Sequence, residues 1–234
     1  MSRSLLSFRE FPAKTRSNAG TIIALHGRGG DLEQLIPLCR AAAPAFDVVA
    51  AEAPRSLIPY TAEFTLDYQG YSWYPVQDGG RPEPVRFGDN LWYVEQFVVD
   101  VLERQIPDVR PVYLLGFDEG AVLALNIAGI MPEFLAGVVS IRGYFPTVPG
   151  WSLPATDLNG LPVLIVCDSI VEDIAERMMA RTTDELRWLG ANLTSQSVVG
   201  IRSNPFGVKE IFSEWLRVQN DINSQRKHSG ALSG

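Results

Sequence analysis

Short apolar runs alternate along the chain with segments whose apolar residues recur every three to four positions. The runs have the length of strands and are bounded by Gly, Pro or Asp, whereas the periodic segments have helical spacing. The predicted strands are Thr21–His26, Asp47–Ala51, Val112–Phe117, Ala136–Ile141, Pro162–Cys167 and Thr194–Val199. The predicted helices are Leu32–Ala42, Asn90–Gln105, Glu119–Ile130, Glu172–Leu189 and Pro205–Gln219. This alternation predicts an α/β protein with a mostly parallel, doubly wound sheet and helices on both faces.

Two segments depart from this pattern. Residues 54–89 are rich in Tyr, Pro and Gly and show no clean period. A connection this long inside a compact domain is usually functional, so we expect it either to cover a pocket or merely to cover the sheet edge. The polar residues from Asp221 onward predict a disordered tail over 221–234, which leaves residues 1–220 as a single domain.

Composition and charge narrow the classes of partner. With 234 residues, of which 46% are apolar, the chain can bury a core without a metal or a disulfide. Its 20 basic residues against 27 acidic ones give a formal charge of −7, which disfavours nucleic acid and anionic membranes as partners. The cysteines Cys39 and Cys167 lack metal-binding spacing, and no apolar stretch approaches the ~18 residues of a membrane span. We therefore expect a cytoplasmic protein with no metal, no cofactor and no membrane span; a homodimer remains open.

The first loop with a chemical signal is the glycine-rich segment His26-Gly27-Arg28-Gly29-Gly30-Asp31, between a predicted strand and a predicted helix. As a dinucleotide-binding turn it would use Gly27 and Gly29, with Glu52 on the ribose, although Leu32 stands where the third glycine belongs. As an oxyanion loop it would point the Arg28 N–H at a developing negative charge.

The second loop is Gly116-Phe117-Asp118-Glu119-Gly120, between a very apolar strand and an apolar helix. A sharp strand-to-helix turn needs residues without side chains two positions before and after its apex, because a Cβ there would collide with the backbone. The segment therefore has the pattern of a G-x-S-x-G nucleophile elbow with Asp118 in place of the serine.

Together these loops resemble the phospholipase/carboxylesterase branch of the α/β-hydrolases, which includes the acyl-protein thioesterases. The resembling segments are Leu25 to Gly30, Glu52 to Arg55, Ser72 to Pro75, Gly116 to Gly120, Val139 to Phe145 and Pro162 to Val166. The resemblance implies an α/β-hydrolase fold and a small acyl or carbonyl ligand, with the N–H groups of Arg28 and Glu119 as oxyanion donors. It also implies a structural imidazole at His26, and the remaining pocket candidates are Trp73, Tyr74, Arg142 and Arg202.

The chain departs from this family at two positions of the catalytic triad, the nucleophile and the base, and the register of the third, the acid, stays open. The apex is Asp118, and the position of the family's histidine falls near Arg202 or Ser203. The acid position falls on Val171, followed by Glu172 and Asp173. The sequence holds only two histidines, His26 and the tail residue His228, so a serine-esterase mechanism lacks its nucleophile and its base.

Four roles remain for Asp118. It could cap the following helix, pair with Arg202 to bind a ligand, or act as a nucleophile, as in haloalkane dehalogenases and epoxide hydrolases. The nucleophile role also needs a histidine to release the covalent ester. Finally, Asp118 could act in acid/base chemistry on an acyl or carbonyl substrate. Two functions follow: an enzyme of this unusual kind, or an inactive relative that binds an acyl-like ligand or a protein partner.

Overall fold

The computed structural model describes residues 5–15, 18–57, 70–77, 81–152, 157–169, 174–202 and 204–231. Its centre is a seven-stranded sheet in the order β1-β3-β2-β6-β7-β8-β9. These strands are β1 Phe8–Phe11, β2 Gly20–Leu25, β3 Phe46–Ala51, β6 Val112–Phe117, β7 Gly137–Ile141, β8 Pro162–Asp168 and β9 Asn192–Val198. The pair β1 and β3 is antiparallel and the other neighbours are parallel. A separate two-stranded ribbon joins β4 Arg55–Ser56 to β5 Tyr71–Ser72.

Helices cover both faces of the sheet. They are α1 Ile36–Ala42, α2 Pro84–Arg104, α3 Glu119–Ile130, α4 Ile174–Trp188 and α5 Lys209–Ala231. One buried cluster joins α2, α3 and α4 to the sheet, and a second joins α1 and α5 to the opposite face. The central strands β2 and β6 are buried along their whole length, which explains why they read as continuous apolar runs. The α/β-hydrolase architecture expected from the sequence is therefore present.

The parallel register brings the glycine-rich loop after β2 and the turn after β6 to one edge of the sheet. Leu25 at the end of β2 pairs with Gly116, and Phe117 at the end of β6 pairs with Ile141. In an open parallel sheet, ligands bind in the crevice beyond the carboxyl ends of the strands. The glycine-rich loop after β2 and the turn after β6 therefore meet at the edge where a site is expected.

All predicted strands and helices occur in the structure, with shifted ends. Helix α2 begins six residues before the predicted Asn90, because the Glu83 carboxylate accepts hydrogen bonds from the N–H groups of Val85 (3.1 Å) and Arg86 (2.8 Å). The sequence pattern does not predict β1, a short and mostly exposed edge strand, or the two-residue strands β4 and β5. Such short elements carry too few positions for a period to show.

The two unusual segments are more regular than predicted. The stretch 54–89 includes β4, β5 and the first turns of α2, while residues 58–69 and 78–80 lie outside the described residues. Helix α5 passes the predicted end at Gln219 and reaches Ala231, so most of the tail predicted to be disordered has a helical backbone. The polar tail contains no proline and its first glycine is Gly230, so nothing earlier interrupts the helical hydrogen bonds. Across the described ranges, no helix combines the length and apolarity needed to cross a bilayer.

Candidate functional site

Asp118 stands at the apex of a tight turn between β6 and α3. Its backbone has φ 50° and ψ −116°, a region that residues other than glycine rarely adopt. A Cβ at Gly116 would collide with the backbone of Gly120 and Ala121, and one at Gly120 with the carbonyl oxygen of Leu25. These contacts are the physical reason for glycine on either side of the apex, as the elbow pattern requires.

The half-buried Asp118 carboxylate faces the glycine-rich loop. Its Oδ2 accepts a hydrogen bond from the Arg28 main-chain N–H at 3.4 Å, a long and therefore weak contact. Although Asp118 is the N-cap residue of α3, its side chain makes no capping hydrogen bond, so the capping role is not the one the structure displays. The predicted oxyanion donor of Arg28 is therefore directed at the carboxylate itself.

Glu119 follows the apex and anchors the site through its side chain. The residue is only 5% exposed. Its carboxylate accepts hydrogen bonds from Arg28 Nη1 (2.9 Å), Ser72 Oγ (2.9 Å) and the Trp73 main-chain N–H (2.8 Å). Burial raises the pKa of Glu119, while the Arg28, Trp73 and Ser72 donors act in the opposite direction. This network ties the elbow to the loop after β2 and to the segment after β5.

Sequence reasoning considered only the main-chain N–H of Glu119 and missed this network. A usable signal was present, because Glu119 opens a helix whose next six residues are Gly, Ala, Val, Leu, Ala and Leu. A carboxylate at the start of such a helix is buried and therefore needs donors. What the sequence does not reveal is which donors these are.

His26 is buried and both of its ring nitrogens are engaged. Nδ1 lies 2.7 Å from the carbonyl oxygen of Gly27, and Nε2 accepts a hydrogen bond from the Ala53 N–H at 3.0 Å. These partners specify the neutral ring with its proton on Nδ1. Burial lowers the pKa of His26, opposed by the Gly27 carbonyl and by the charge of Asp31. This geometry fits a structural imidazole and leaves no ring nitrogen for a substrate.

Trp73 and Tyr74 are packed into the core beside the elbow. Trp73 is 0% exposed and donates its Nε1–H to the His26 carbonyl oxygen at 2.8 Å. Tyr74 is 2% exposed, and burial together with the negative charges of Glu119 and Asp118 raises its pKa well above the usual range. The Tyr74 hydroxyl therefore stays protonated across the working pH range.

Two arginines named from the sequence occupy different settings. Arg142 follows β7 with φ 61°, is 4% exposed and donates its main-chain N–H to the Val166 carbonyl oxygen at 2.8 Å. Arg202 is exposed, and its main-chain N–H donates to Asp168 Oδ2 at 3.0 Å. A pair between Asp118 and Arg202 stays a prediction.

Asp168 is a site residue that sequence reasoning missed. It is the last residue of β8, is 4% exposed, and accepts hydrogen bonds from the N–H groups of Gly200 (3.1 Å) and Arg202 (3.0 Å). It thereby fixes the loop between β9 and α5. The predicted acid positions Val171, Glu172 and Asp173 lie outside the described residues. The sequence signal for Asp168 was an acidic residue at the end of an apolar run.

Helix α5 carries His228 away from this edge. Trp215 packs on Tyr113, with ring centroids 6.0 Å apart, near the amino end of β6. Because α5 starts after the loop fixed by Asp168, it runs from the carboxyl edge of the sheet towards the amino edge. The backbone of His228 follows thirteen residues later, about 20 Å further along the helix at ~1.5 Å per residue.

Comparisons with known proteins agree with this architecture. The model of the phospholipase/carboxylesterase family matches residues 9–196. NocK from Nocardia uniformis subsp. tsuyamanensis is 31% identical over 144 residues, which are 62% of this chain and 38% of NocK. A carboxylesterase from Mesorhizobium loti has a TM-score of 0.73 at 24% identity, covering 91% of this chain and 94% of its own. Zea mays acyl-protein thioesterase 2 has a TM-score of 0.67 at 18% identity, covering 92% and 99%. At these identities the two structures support the fold alone.

Proposed function

The chain belongs to the phospholipase/carboxylesterase family, and from that premise we propose that it is an enzyme using Asp118 as a general base on a small acyl or carbonyl substrate. The observation that carries this proposal is the orientation of the Asp118 side chain. A carboxylate retained only to cap α3 would bond to the free N–H groups of that helix, and this one does not. Strained backbone of this kind costs ~1–3 kcal/mol and is concentrated at functional sites.

The surroundings of Asp118 favour an ionised carboxylate. The N-terminus of α3 carries the positive end of the helix dipole, and the Arg28 N–H points at Oδ2. Glu119 already takes the Arg28 guanidinium and the Ser72 hydroxyl.

Proton abstraction is the step this arrangement can perform. Asp118 takes a proton from the atom next to a substrate carbonyl, and the electron pair of the broken bond moves onto the carbonyl oxygen as negative charge. The main-chain N–H of Glu119, together with that of Arg28 once it leaves its long contact with Asp118 Oδ2, would stabilise that charge. Return of the proton to a different atom gives isomerisation, and departure of a leaving group gives elimination.

Ester hydrolysis is disfavoured. An acyl transfer of the serine type needs a hydroxyl nucleophile and an imidazole, whereas the apex is a carboxylate and both nitrogens of His26 have partners. A covalent ester on Asp118 would also need a base to activate water for its release. Without such a base, the ester would accumulate.

The second candidate is an inactive relative that binds an acyl-like ligand. The engaged imidazole of His26 favours it, because a site whose described histidine already has partners at both nitrogens can still bind a ligand. A protein partner, homodimer formation and a cytoplasmic location remain predictions under either function.

The test compares Asp118→Asn with the wild-type chain. The assay measures exchange of substrate protons with deuterated water by NMR, over a panel of small ketones, keto acids and thioesters. We expect the wild type to accelerate exchange for at least one member and Asp118→Asn to lose about 100-fold or more of that rate. Asp184→Asn removes the same charge from an exposed position on α4 and serves as the matched control.

Two results would contradict the proposal that this chain is an enzyme. One is undiminished exchange in Asp118→Asn. The other is binding of panel members by the wild type without any exchange, which would favour the inactive relative.

A further inference from the structure

The last strand of the sheet, β9 Asn192–Val198, lies at the end opposite β1. Within the described ranges it pairs with β8 alone, and four of its seven residues are exposed. The outer side of such a strand presents N–H and C=O groups, which proteins usually protect with charged side chains, proline or a bulge. Residues 188–201 contain neither a charged side chain nor a proline, and the register of β9 on β8 is continuous. This strand is therefore open to pairing with another strand.

The strand at the other end of the sheet, β1, is protected in the usual way. It is only four residues long. Its side chains Arg9 and Glu10 form ion pairs with Glu33 and Arg104, and the Arg104 guanidinium also lies 4.8 Å from the centre of the Phe8 ring. The contrast marks β9 as the more exposed of the two outer strands.

A hydrogen bond to the β8 side shows which residues of β9 face outward. The Asn192 N–H donates to the Leu161 carbonyl oxygen at 3.0 Å. Both backbone groups of a strand residue point to the same side, and the side alternates from one residue to the next, so the even-numbered residues face β8. The Val198 carbonyl oxygen, which accepts from the Ser169 N–H at 3.1 Å, follows this rule. The residues whose backbone groups point away from the sheet are Leu193, Ser195 and Ser197.

These three residues, centred on Ser195, suit pairing with a second copy of the chain. In an antiparallel pair, every second pair of facing residues exchanges both backbone hydrogen bonds. With a two-fold axis at Ser195, this residue faces its own copy, and Leu193 faces Ser197 of the second copy. All the outward N–H and C=O groups of the strand then have partners. Because the strand carries no charge, no like charges meet across the axis.

The same axis brings together exposed apolar side chains. Trp188, at the end of α4, is 81% exposed, and Val199, directly after β9, is 65% exposed. These residues stand before and after a strand ~20 Å long. A two-fold axis through the middle of the strand exchanges its ends, so Trp188 of each copy comes to the end where Val199 of the other copy lies. Exposed apolar groups of this kind are typical of interaction surfaces.

We propose that β9 is the contact surface of a homodimer, in which the β9 strands of two copies pair antiparallel around Ser195 and continue one sheet through both molecules. The interface is isologous, because the same strand contributes from each copy. Strands β7 and β8 lie between β9 and the elbow strand β6, so the pairing does not depend on the chemistry proposed for Asp118.

Sedimentation equilibrium of the full chain tests the proposal. We expect a reversible equilibrium between monomer and dimer over about 1 to 200 µM, because the interface is smaller than that of an obligate dimer. Ser195→Pro removes an outward N–H group and no hydrogen bond to β8, and Ser195→Lys places two like charges across the axis. Each should raise the dissociation constant of the dimer at least about tenfold.

Matched controls separate this strand from the rest of the surface. Ser7→Lys adds the same charge at an exposed serine beside β1, at the other end of the sheet, and should leave the dissociation constant unchanged. Trp188→Gln should weaken the dimer several-fold, whereas Trp92→Gln, which removes a half-exposed tryptophan of α2, should not. Circular dichroism melting curves show whether each variant is folded.

A wild-type chain that stays monomeric up to about 200 µM would overturn the proposal. So would a dimer whose dissociation constant is the same in Ser195→Lys and Ser195→Pro as in the wild type, because another surface would then join the copies. Ser195 is exposed, so its lysine variant carries the test even if the proline variant does not fold.

Discussion

Burial shifts the pKa values of Glu119 and His26, the two ionisable residues beside the elbow, in opposite directions. Glu119 keeps three donors close to its carboxylate, so the burial that raises its pKa is partly offset. His26 uses its two nitrogens in the neutral form, and burial lowers its pKa. Both residues hold loops in place beside Asp118, whose Oδ2 accepts a long hydrogen bond from the Arg28 main-chain N–H.

The lowered pKa of His26 makes the stability of the protein depend on pH. The unfolded imidazole takes up a proton below its ordinary pKa of about 6.5, whereas the folded one resists protonation. The stabilising contribution is therefore present above that pH and is lost as the pH falls through the folded pKa. Urea unfolding at pH 7.5, 6.5 and 5.5 should show the wild type losing stability relative to His26→Gln on acidification.

For one proton, the free energy of unfolding changes by at most ~1.4 kcal/mol per pH unit. His228→Gln is the control and should follow the wild type. If the free energies of unfolding of the wild type and His26→Gln differ by the same amount at all of these pH values, the folded imidazole has an ordinary pKa.

Among the structural elements, the turn between β6 and α3 is tightly constrained. Glycines before and after the apex let β6 and α3 approach, and the apex residue takes the strain. The turn is anchored by the Asp118 main-chain N–H, which donates to the Ile141 carbonyl oxygen at 2.9 Å. The neighbouring strand therefore holds the strained residue in place.

Relief of this strain is measurable. Asp118→Gly and Asp118→Ala both remove the carboxylate, but only glycine adopts φ 50° and ψ −116° without a Cβ penalty. Glycine also has the greater backbone entropy in the unfolded chain, which lowers the stability of the glycine variant. After correction for that entropy, we expect Asp118→Gly to be more stable than Asp118→Ala by about 1 kcal/mol. Urea midpoints with equal slopes provide the comparison. An alanine variant as stable as the glycine variant would remove the strain argument.

At the scale of the whole molecule, one sheet separates two apolar clusters. The cluster under α2, α3 and α4 and the cluster under α1 and α5 share the same strands, because alternate side chains of each strand point to opposite faces. Both clusters are therefore expected to form and break in a single cooperative transition.

Ile165 of the first cluster and Ile22 of the second provide a test, since β6 and β7 lie between their strands. Each Ile→Val change should lower the free energy of unfolding by about 0.5–1.5 kcal/mol. The double variant should equal the sum within about 0.5 kcal/mol and unfold in one transition, as followed by fluorescence and circular dichroism. Two separate transitions would contradict a common core.

The order and type of the longer elements and the glycine pattern of the elbow follow from the sequence alone, because apolar period and turn residues act locally. It could not reveal that Glu119 bonds to Arg28 and Ser72, which lie 91 and 47 residues away along the chain. Nor could it assign Asp168 to the loop of Arg202, 34 residues later. These contacts depend on which strand ends become neighbours and on how each side chain is directed there. Both emerge only when the chain has folded, because burial and hydrogen bonding at the edge of the sheet combine segments that do not interact locally.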